Sequence, residues 1–239
     1  MEPNKFIVEI WSDVTCVHCY IAKRKFESAL TEFEHANNIE IVWKSFELAP
    51  NLKVEQGKSM YQFLADYNGA SVEQVKAICT QIEANAKEVG LMYNFEIAVP
   101  ANSFLSHRFS HLTKHYGVQD KAKEAVFKAH FIEGKNIDDI DTIVQLGVEL
   151  GLEQETVRKE LTSDAYTANV KQDIEEANSR QIKGVPYYLF NAKHAIYGVK
   201  NTDFYLDTLR KAYREWQEAT NNSNIENSKG ESCEIGGIC

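Results

Sequence analysis

The chain has 239 residues, 44% hydrophobic and 26% charged, a composition that suits a globular protein of one large domain or two modest ones. Its formal net charge of -9, with no cationic cluster longer than Lys23-Arg24-Lys25, argues against a nucleic-acid binder, because affinity for phosphates comes from grouped Lys and Arg. No stretch reaches the roughly 20 apolar residues of a membrane span. The opening MEPNKFIVEIW lacks the order of a signal peptide, so the expected compartment is the cytoplasm.

KFIVEIW (5–11) is rich in β-branched and aromatic residues and predicts a strand; IEIVWKSFEL (39–48) predicts another. Between them Tyr20, Lys23, Phe26 and Leu30 fall at helical spacing. The result is a β-α-β unit, hence parallel strands joined by a right-handed crossover. From about residue 57 to 182 strand signals nearly vanish. Ser71 with Gln74 fits a capping box, with Gly90 as the matching stop. The stretch 101–117 has Asn102 as a cap and Gly117 as a terminator. Further helical patterns follow over 120–134, 138–151, 153–163 and 164–184, each opening on an acid, which suits the positive end of the helix dipole. VPYYLF (185–190) and HAIYGV (194–199), separated by Asn191-Ala192-Lys193, predict an antiparallel hairpin. A last amphipathic helix is expected over 203–219. TNNSNIENSKGE is polar and without periodicity, so disorder is expected there.

The expected fold class is therefore α/β. Residues 1–56 and 183–220 would build a mixed four-stranded sheet with two helices, 57–182 a large all-helical insertion, and 221–239 a flexible tail bearing two cysteines.

Five cysteines in a reducing compartment do not suggest a structural disulfide framework. Cys79, alone in a helical pattern, is expected to be buried and inert. Cys16 and Cys19, as Cys-Val-His-Cys, stand where a strand gives way to a helix. Spaced i and i+3 they share a helix face, within reach of a reversible disulfide. At the helix start Cys16 meets unpaired N–H groups and the positive dipole end, which favour thiolate. Cys16 is thus the expected nucleophile and Cys19 the resolving thiol. His18 would tune the thiolate by adding a donor and, when protonated, a positive charge. The competing reading is half of a zinc site, completed by Cys233/Cys239 or by His107, His111 and His115, which recur every four residues. C-x-x-C beside a β-α-β pattern favours dithiol chemistry, with no metal or cofactor required.

IEIWSDVTCVHCYIAKRKFESAL together with GVPYYLFNAKHAIYGV resembles the DsbA-like thioredoxin-fold oxidoreductases. The middle stretch, SHRFSHLTKHYG followed by AVFKAHFIEGKNIDDIDTIVQLGVELGL, is similar to the FrnE-type branch of dithiol-disulfide oxidoreductases or isomerases. The resemblance runs from about residue 5 to 215. It implies a thioredoxin fold interrupted by a helical domain, an enzyme acting on thiol or disulfide substrates, and a cis Val185-Pro186 bond facing the dithiol. A cis bond before proline costs little, and it would present the Val185 backbone as an edge for an extended substrate peptide. FrnE-type members commonly carry Pro-Trp between the cysteines. Here Val17-His18 stands there, and its histidine matches strongly oxidising DsbA proteins. Glutathione-dependent relatives of the kappa-transferase and hydroxychromene-carboxylate isomerase type carry serine at the position of Cys16. Keeping both cysteines speaks against their chemistry but leaves glutathione as a candidate redox partner.

Cys233 and Cys239, spaced by Glu-Ile-Gly-Gly-Ile, are expected to act as an auxiliary redox pair that exchanges with Cys16–Cys19. Two other functions remain open on the residues alone: a redox-regulated chaperone or metal-binding protein, and a glutathione-dependent isomerase. No motif fixes an oligomeric state.

Overall fold

The computed structural model describes residues 5–54 and 57–227. It opens with β1 (Phe6–Ser12), α1 (Val17–Glu32) and β2 (Ile39–Ser45). β1 and β2 are parallel, in register from Phe6 opposite Ile39 to Ser12 opposite Ser45. The chain then forms α2 (Met60–Asn68), α3 (Val72–Lys87), α4 (Phe104–His115), α5 (Gln119–Phe131), α6 (Ile140–Glu149), α7 (Gln154–Thr162) and α8 (Thr167–Ser179). It returns to the sheet as β3 (Tyr187–Phe190) and β4 (His194–Tyr197) and ends its described course in α9 (Thr202–Asn227). The strand order is β2-β1-β3-β4, with β3 antiparallel to both neighbours. This is the expected mixed four-stranded sheet with a helical insertion.

Both faces of the sheet are covered, which explains why the end of β1 is buried at consecutive residues rather than alternate ones. Phe6, Val8 and Ile10 pack beneath Phe26 and Phe33 of α1 and Tyr205, Leu209 and Tyr213 of α9. Trp11 faces the other way, against Ala177 of α8, Ile182 and Leu189. α1 and α9 lie side by side. Phe26 meets Tyr205 with ring centroids 5.7 Å apart and Phe33 meets Tyr213 at 5.4 Å, so the two helices run in the same direction. A second core fills the helical insertion and is continuous with Cys19, Tyr20 and Ile21 of α1.

The local signals are used largely as expected. Gln74 N–H donates to Ser71 Oγ at 3.2 Å and Ser71 N–H to Gln74 Oε1 at 2.9 Å, closing the capping box. Asn102 Oδ1 accepts from Phe104 N at 2.8 Å one residue ahead of α4. Two helical features depart from expectation. α2, capped by Ser59 and stopped by Gly69 at φ +65°, is a short helix within a region read only as helical in general. α9 continues past residue 219 to Asn227. The polar extension holds because each added residue gains a helical bond at little cost once the helix is nucleated, and neither proline nor glycine interrupts it.

One arginine ties the insertion together. Arg108 on α4 donates to the carbonyls of Glu160, Leu161, Ser163 and Ala165 at 3.1, 3.1, 2.5 and 2.8 Å, supplying partners for the last turn of α7. Arg108→Ala leaves those carbonyls in a half-buried niche without donors and is expected to cost about 3 kcal/mol. Urea unfolding checks this; a loss below about 1 kcal/mol would mean that water replaces the guanidinium.

Candidate active site

β1, a central strand, delivers the chain to Asp13 just past its C-terminal end. Asp13 Oδ1 accepts from Thr15 N at 3.0 Å, its backbone carbonyl from Cys16 N at 3.2 Å, and its Oδ2 from Leu48 N at 2.8 Å. One carboxylate therefore shapes the turn before the cysteines and fastens it to the segment after β2. Cys16 is the N-cap residue of α1, in extended conformation and with no capping bond from its own side chain. Its sulfur is thus not used by the helix. Cys19 N donates to the Cys16 carbonyl at 3.0 Å one turn on. Both thiols are free; Cys16 is 6% exposed and Cys19 1%. The Val185–Pro186 bond is cis, and the Val185 carbonyl lies 3.7 Å from Cys16 Sγ.

The two thiols have different environments. The Cys19 thiol, donating toward the Cys16 sulfur, is the main influence that lowers the Cys16 pKa; the backbone N–H groups of Cys19 and His18 act with it, against burial and the Asp13 charge. Desolvation raises Cys19 well above the usual thiol range, and the neighbouring Cys16 adds to this. One sulfur is poised to ionise and the other to remain a thiol. His18 is exposed and lines the larger cavity together with Cys16, and its backbone N–H is among the groups that lower the Cys16 pKa.

Beneath the dithiol lies a group of buried ionisable side chains: His107 of α4, one of the histidines at four-residue spacing, and Asp13 together with Lys123 and His130 of α5, which the sequence does not single out. Burial opposes ionisation of Asp13, yet its surroundings hold it at about 2. His107 Nε2 stands 3.7 Å away, beyond a hydrogen bond, so the direct partners are the N–H groups of Leu48 and Thr15. Lys123 Nζ makes no hydrogen bond among the described residues and faces the Trp43 ring at 5.8 Å; desolvation pushes it down to about 8. Desolvation also pushes His130 down to about 4.

Asp13→Asn turns an amide group toward one of two backbone donors, so we expect a loss of about 2 kcal/mol at pH 7. The folded carboxyl titrates near 2 against 3.8 when exposed, so its stabilisation is full above pH 3.8 and is lost as the pH falls through 2. The gap between wild type and Asp13→Asn in chemical unfolding should therefore close over that window.

Two adjoining cavities, of about 330 and 170 Å³, open at the motif and share Thr15, Val17, Leu48, Leu64 and Phe95. The larger has Cys16 in its wall, faced by Val75 and Ile82 of α3. The helical insertion thus forms one side of the site. It also braces α1: Tyr93 Oη donates to the Val17 carbonyl at 2.8 Å, and Tyr20 stacks on Phe127 with centroids 4.8 Å apart.

The other candidate residues are dispersed. His107 turns to Asp13, His111 Nε2 meets Asp173 Oδ2 at 2.9 Å and Ser45 Oγ at 3.2 Å, and His115 is exposed against Tyr116. Among the described residues no three His, Cys, Asp or Glu side chains gather to hold a metal ion. Cys79 lines the larger cavity, where burial raises its thiol to about 11. Cys233 and Cys239 lie outside the described residues. Among the described residues no helix is long and apolar enough to cross a membrane.

Comparison with known proteins agrees with this geometry. The uncharacterized protein YwbO of Bacillus subtilis (strain 168) is 27% identical over 184 residues, spanning 76% of this chain and 85% of that protein. The crystal structure of a probable DsbA oxidoreductase from Streptomyces coelicolor superposes with a TM-score of 0.82 at 28% identity, covering 96% of this chain and 94% of that one. The cytosolic disulfide reductase DsbM of Pseudomonas aeruginosa shares the fold at 16% identity, with a TM-score of 0.55 over 90% of this chain and 98% of its own. The DSBA-like thioredoxin domain matches residues 7–210, a span that takes in the sheet, both cysteines of the motif and the whole helical insertion, and the chain belongs to that family.

Proposed function

We propose that the protein is a thiol-disulfide oxidoreductase acting on protein disulfides, with Cys16 as nucleophile and Cys19 as resolving thiol. The observation that carries this reading is the asymmetry of the pair. Cys16, at the N-cap of α1, receives the Cys19 thiol as a donor and lines an open cavity, while Cys19 is sealed beneath it. Attack by the Cys16 thiolate on a substrate disulfide gives a mixed disulfide and a substrate thiolate. Cys19 then loses its proton, attacks the Cys16 sulfur and releases the second substrate thiol. The Val185 backbone beside Cys16 offers a short edge along which an extended peptide could lie.

The nature of the cavity favours protein substrates over glutathione. Among the described residues its lining is mostly aliphatic and contains neither lysine nor arginine to meet the carboxylates of glutathione. Binding of glutathione, which the DsbM of Pseudomonas aeruginosa holds in one solved structure, would need such partners elsewhere on the surface.

The test is capture. Reduced Cys19→Ser protein mixed with a disulfide-containing protein such as insulin should accumulate a mixed disulfide on Cys16, identified by mass after digestion. A mixed disulfide that forms equally well on Cys16→Ser protein would sink the assignment.

A further inference from the structure

Resolution requires Cys19 to give up a proton from a buried position, so that proton needs a way out. Neither charged group beneath the dithiol receives it. Asp13, held at about 2, is a weak base, and Lys123, at about 8, is mostly an ammonium at neutral pH. The side-chain hydroxyl that acts on Cys19, favouring its thiolate against burial, belongs to Ser12. Ser12 is fully buried and its Oγ closes no hydrogen bond among the described residues. A buried hydroxyl without a partner costs free energy, so its presence there calls for a role. Across the sheet its neighbour is a second serine. Ser12 stands opposite Ser45 in the parallel register of β1 and β2, and both side chains share the face that carries Ile10 and Trp43 toward α1. Paired strands lie about 4.8 Å apart, so a turn about the Cα–Cβ bond carries the Ser12 oxygen from the Cys19 side into hydrogen-bond reach of Ser45 Oγ. Ser45 Oγ lies 3.2 Å from His111 Nε2, which is 2.9 Å from Asp173 Oδ2. The His111 ring lines an open polar cavity of about 500 Å³ with Lys44, Lys114, His115 and Asp173, and this cavity shares no lining residue with the one beside Cys16.

We infer that Ser12, Ser45 and His111 form a proton path between Cys19 and the polar cavity, and so are positioning residues for the resolving step. The inference rests on the assignment of Cys19 as resolving thiol. As the mixed disulfide resolves, the Cys19 thiol passes its proton to Ser12 Oγ, Ser12 passes its own to Ser45 Oγ, and Ser45 passes its own to the Nε2 lone pair of His111. The Asp173 carboxylate holds the imidazolium so formed, which releases its Nδ1 proton to solvent in the cavity. Each hydroxyl ends with the proton count it began with. The Cys19 thiolate attacks Cys16 Sγ, the dithiol is oxidised, and the substrate sulfur leaves as a thiolate that takes a proton from solvent. When the dithiol is reduced again the sequence runs backward: His111 returns its Nε2 proton through the serines to Cys19 and takes another at Nδ1.

A chromogenic aryl disulfide reads the two steps apart, because attack by Cys16 frees one aryl thiolate and resolution by Cys19 frees the second. The parent protein is the full-length chain with Cys233→Ser and Cys239→Ser, and the second phase is the one missing when Cys19→Ser is added. In Ser12→Ala, Ser45→Ala and His111→Ala the first phase should stay within about twofold of the parent while the second slows by about tenfold or more. Ser45→Thr, which keeps a hydroxyl, should recover most of what Ser45→Ala loses. Imidazoles added to His111→Ala can enter the cavity and should restore the second phase in order of their basicity, whereas Ser12→Ala, cut off upstream of the cavity, should gain nothing from them. A second phase at the parent rate in Ser12→Ala, or a restoration of His111→Ala that ignores basicity, overturns the inference and leaves the oxidoreductase reading intact. A second phase that persists in Cys19→Ser overturns both.

Discussion

Cys16→Ser is expected to lower turnover of a protein disulfide by on the order of 10³-fold or more, because a serine hydroxyl at neutral pH has almost no anionic form and does not attack sulfur productively. Cys19→Ser should fail differently. The first attack needs only Cys16, so this variant should complete one reaction per molecule and then stall as the mixed disulfide. The two are separated by following substrate thiol release in the presteady state: a burst of one equivalent for Cys19→Ser and none for Cys16→Ser. Equal bursts from both would place the nucleophile elsewhere. His18→Ala makes a useful third arm. Since His18 is exposed at the cavity rim and its backbone N–H, which the substitution keeps, is its contribution to lowering Cys16, the burst rate should change by less than about threefold, whereas an imidazolium acting on the thiolate would make the rate fall far more.

The contrast between His18 and Asp13 shows what the sequence makes legible. The strands, the crossover, the hairpin and the helix starts follow from local periodicity and caps, and Cys16 could be placed at a helix N-terminus because the strand pattern of β1 stops a few residues earlier. Asp13, Lys123 and His130 could not be found that way, and His107 is legible only as one of three histidines at four-residue spacing. Lys123 and His130 belong to KAKEAVFKAH, whose alternation of charge and aliphatic residues reads as an amphipathic helix with a solvated face. Their burial arises only when α5 is laid across α1 and β2, which depends on contacts between segments about a hundred residues apart. His18 is the opposite case: adjacency in sequence to both cysteines draws attention to its imidazole, which is exposed at the rim of the cavity that Cys16 lines. The apolar cavity was equally hidden, since one side of its wall comes from aliphatic residues of α2 and α3 that local patterns show only as helix faces.

Lys123→Met should raise stability at neutral pH by about 2–3 kcal/mol, an increase in melting temperature of about 5–10 °C for a chain of this size. Lys123 Nζ is fully buried and without a hydrogen bond among the described residues, and desolvation lowers it from 10.5 to about 8. As the pH falls through 10.5 the unfolded chain takes up this proton while the folded chain does not until about 8. Folded stability therefore declines across pH 10.5 to 8, and the cost of housing the ammonium is fully present below 8. Methionine keeps most of the side-chain volume and removes that cost. The gain should be constant from pH 6 to 8 and shrink to nothing by about pH 10.5, which equilibrium unfolding of the two proteins across that range would show. The opposing force is attraction to the Asp13 carboxylate. Asp13 already has the N–H groups of Leu48 and Thr15 as direct partners, so loss of a lysine that is not hydrogen-bonded to it should matter less than the desolvation relieved. A variant less stable than wild type at pH 7 would reverse that ranking and make Lys123 the counter-charge that allows a carboxylate to sit under the dithiol.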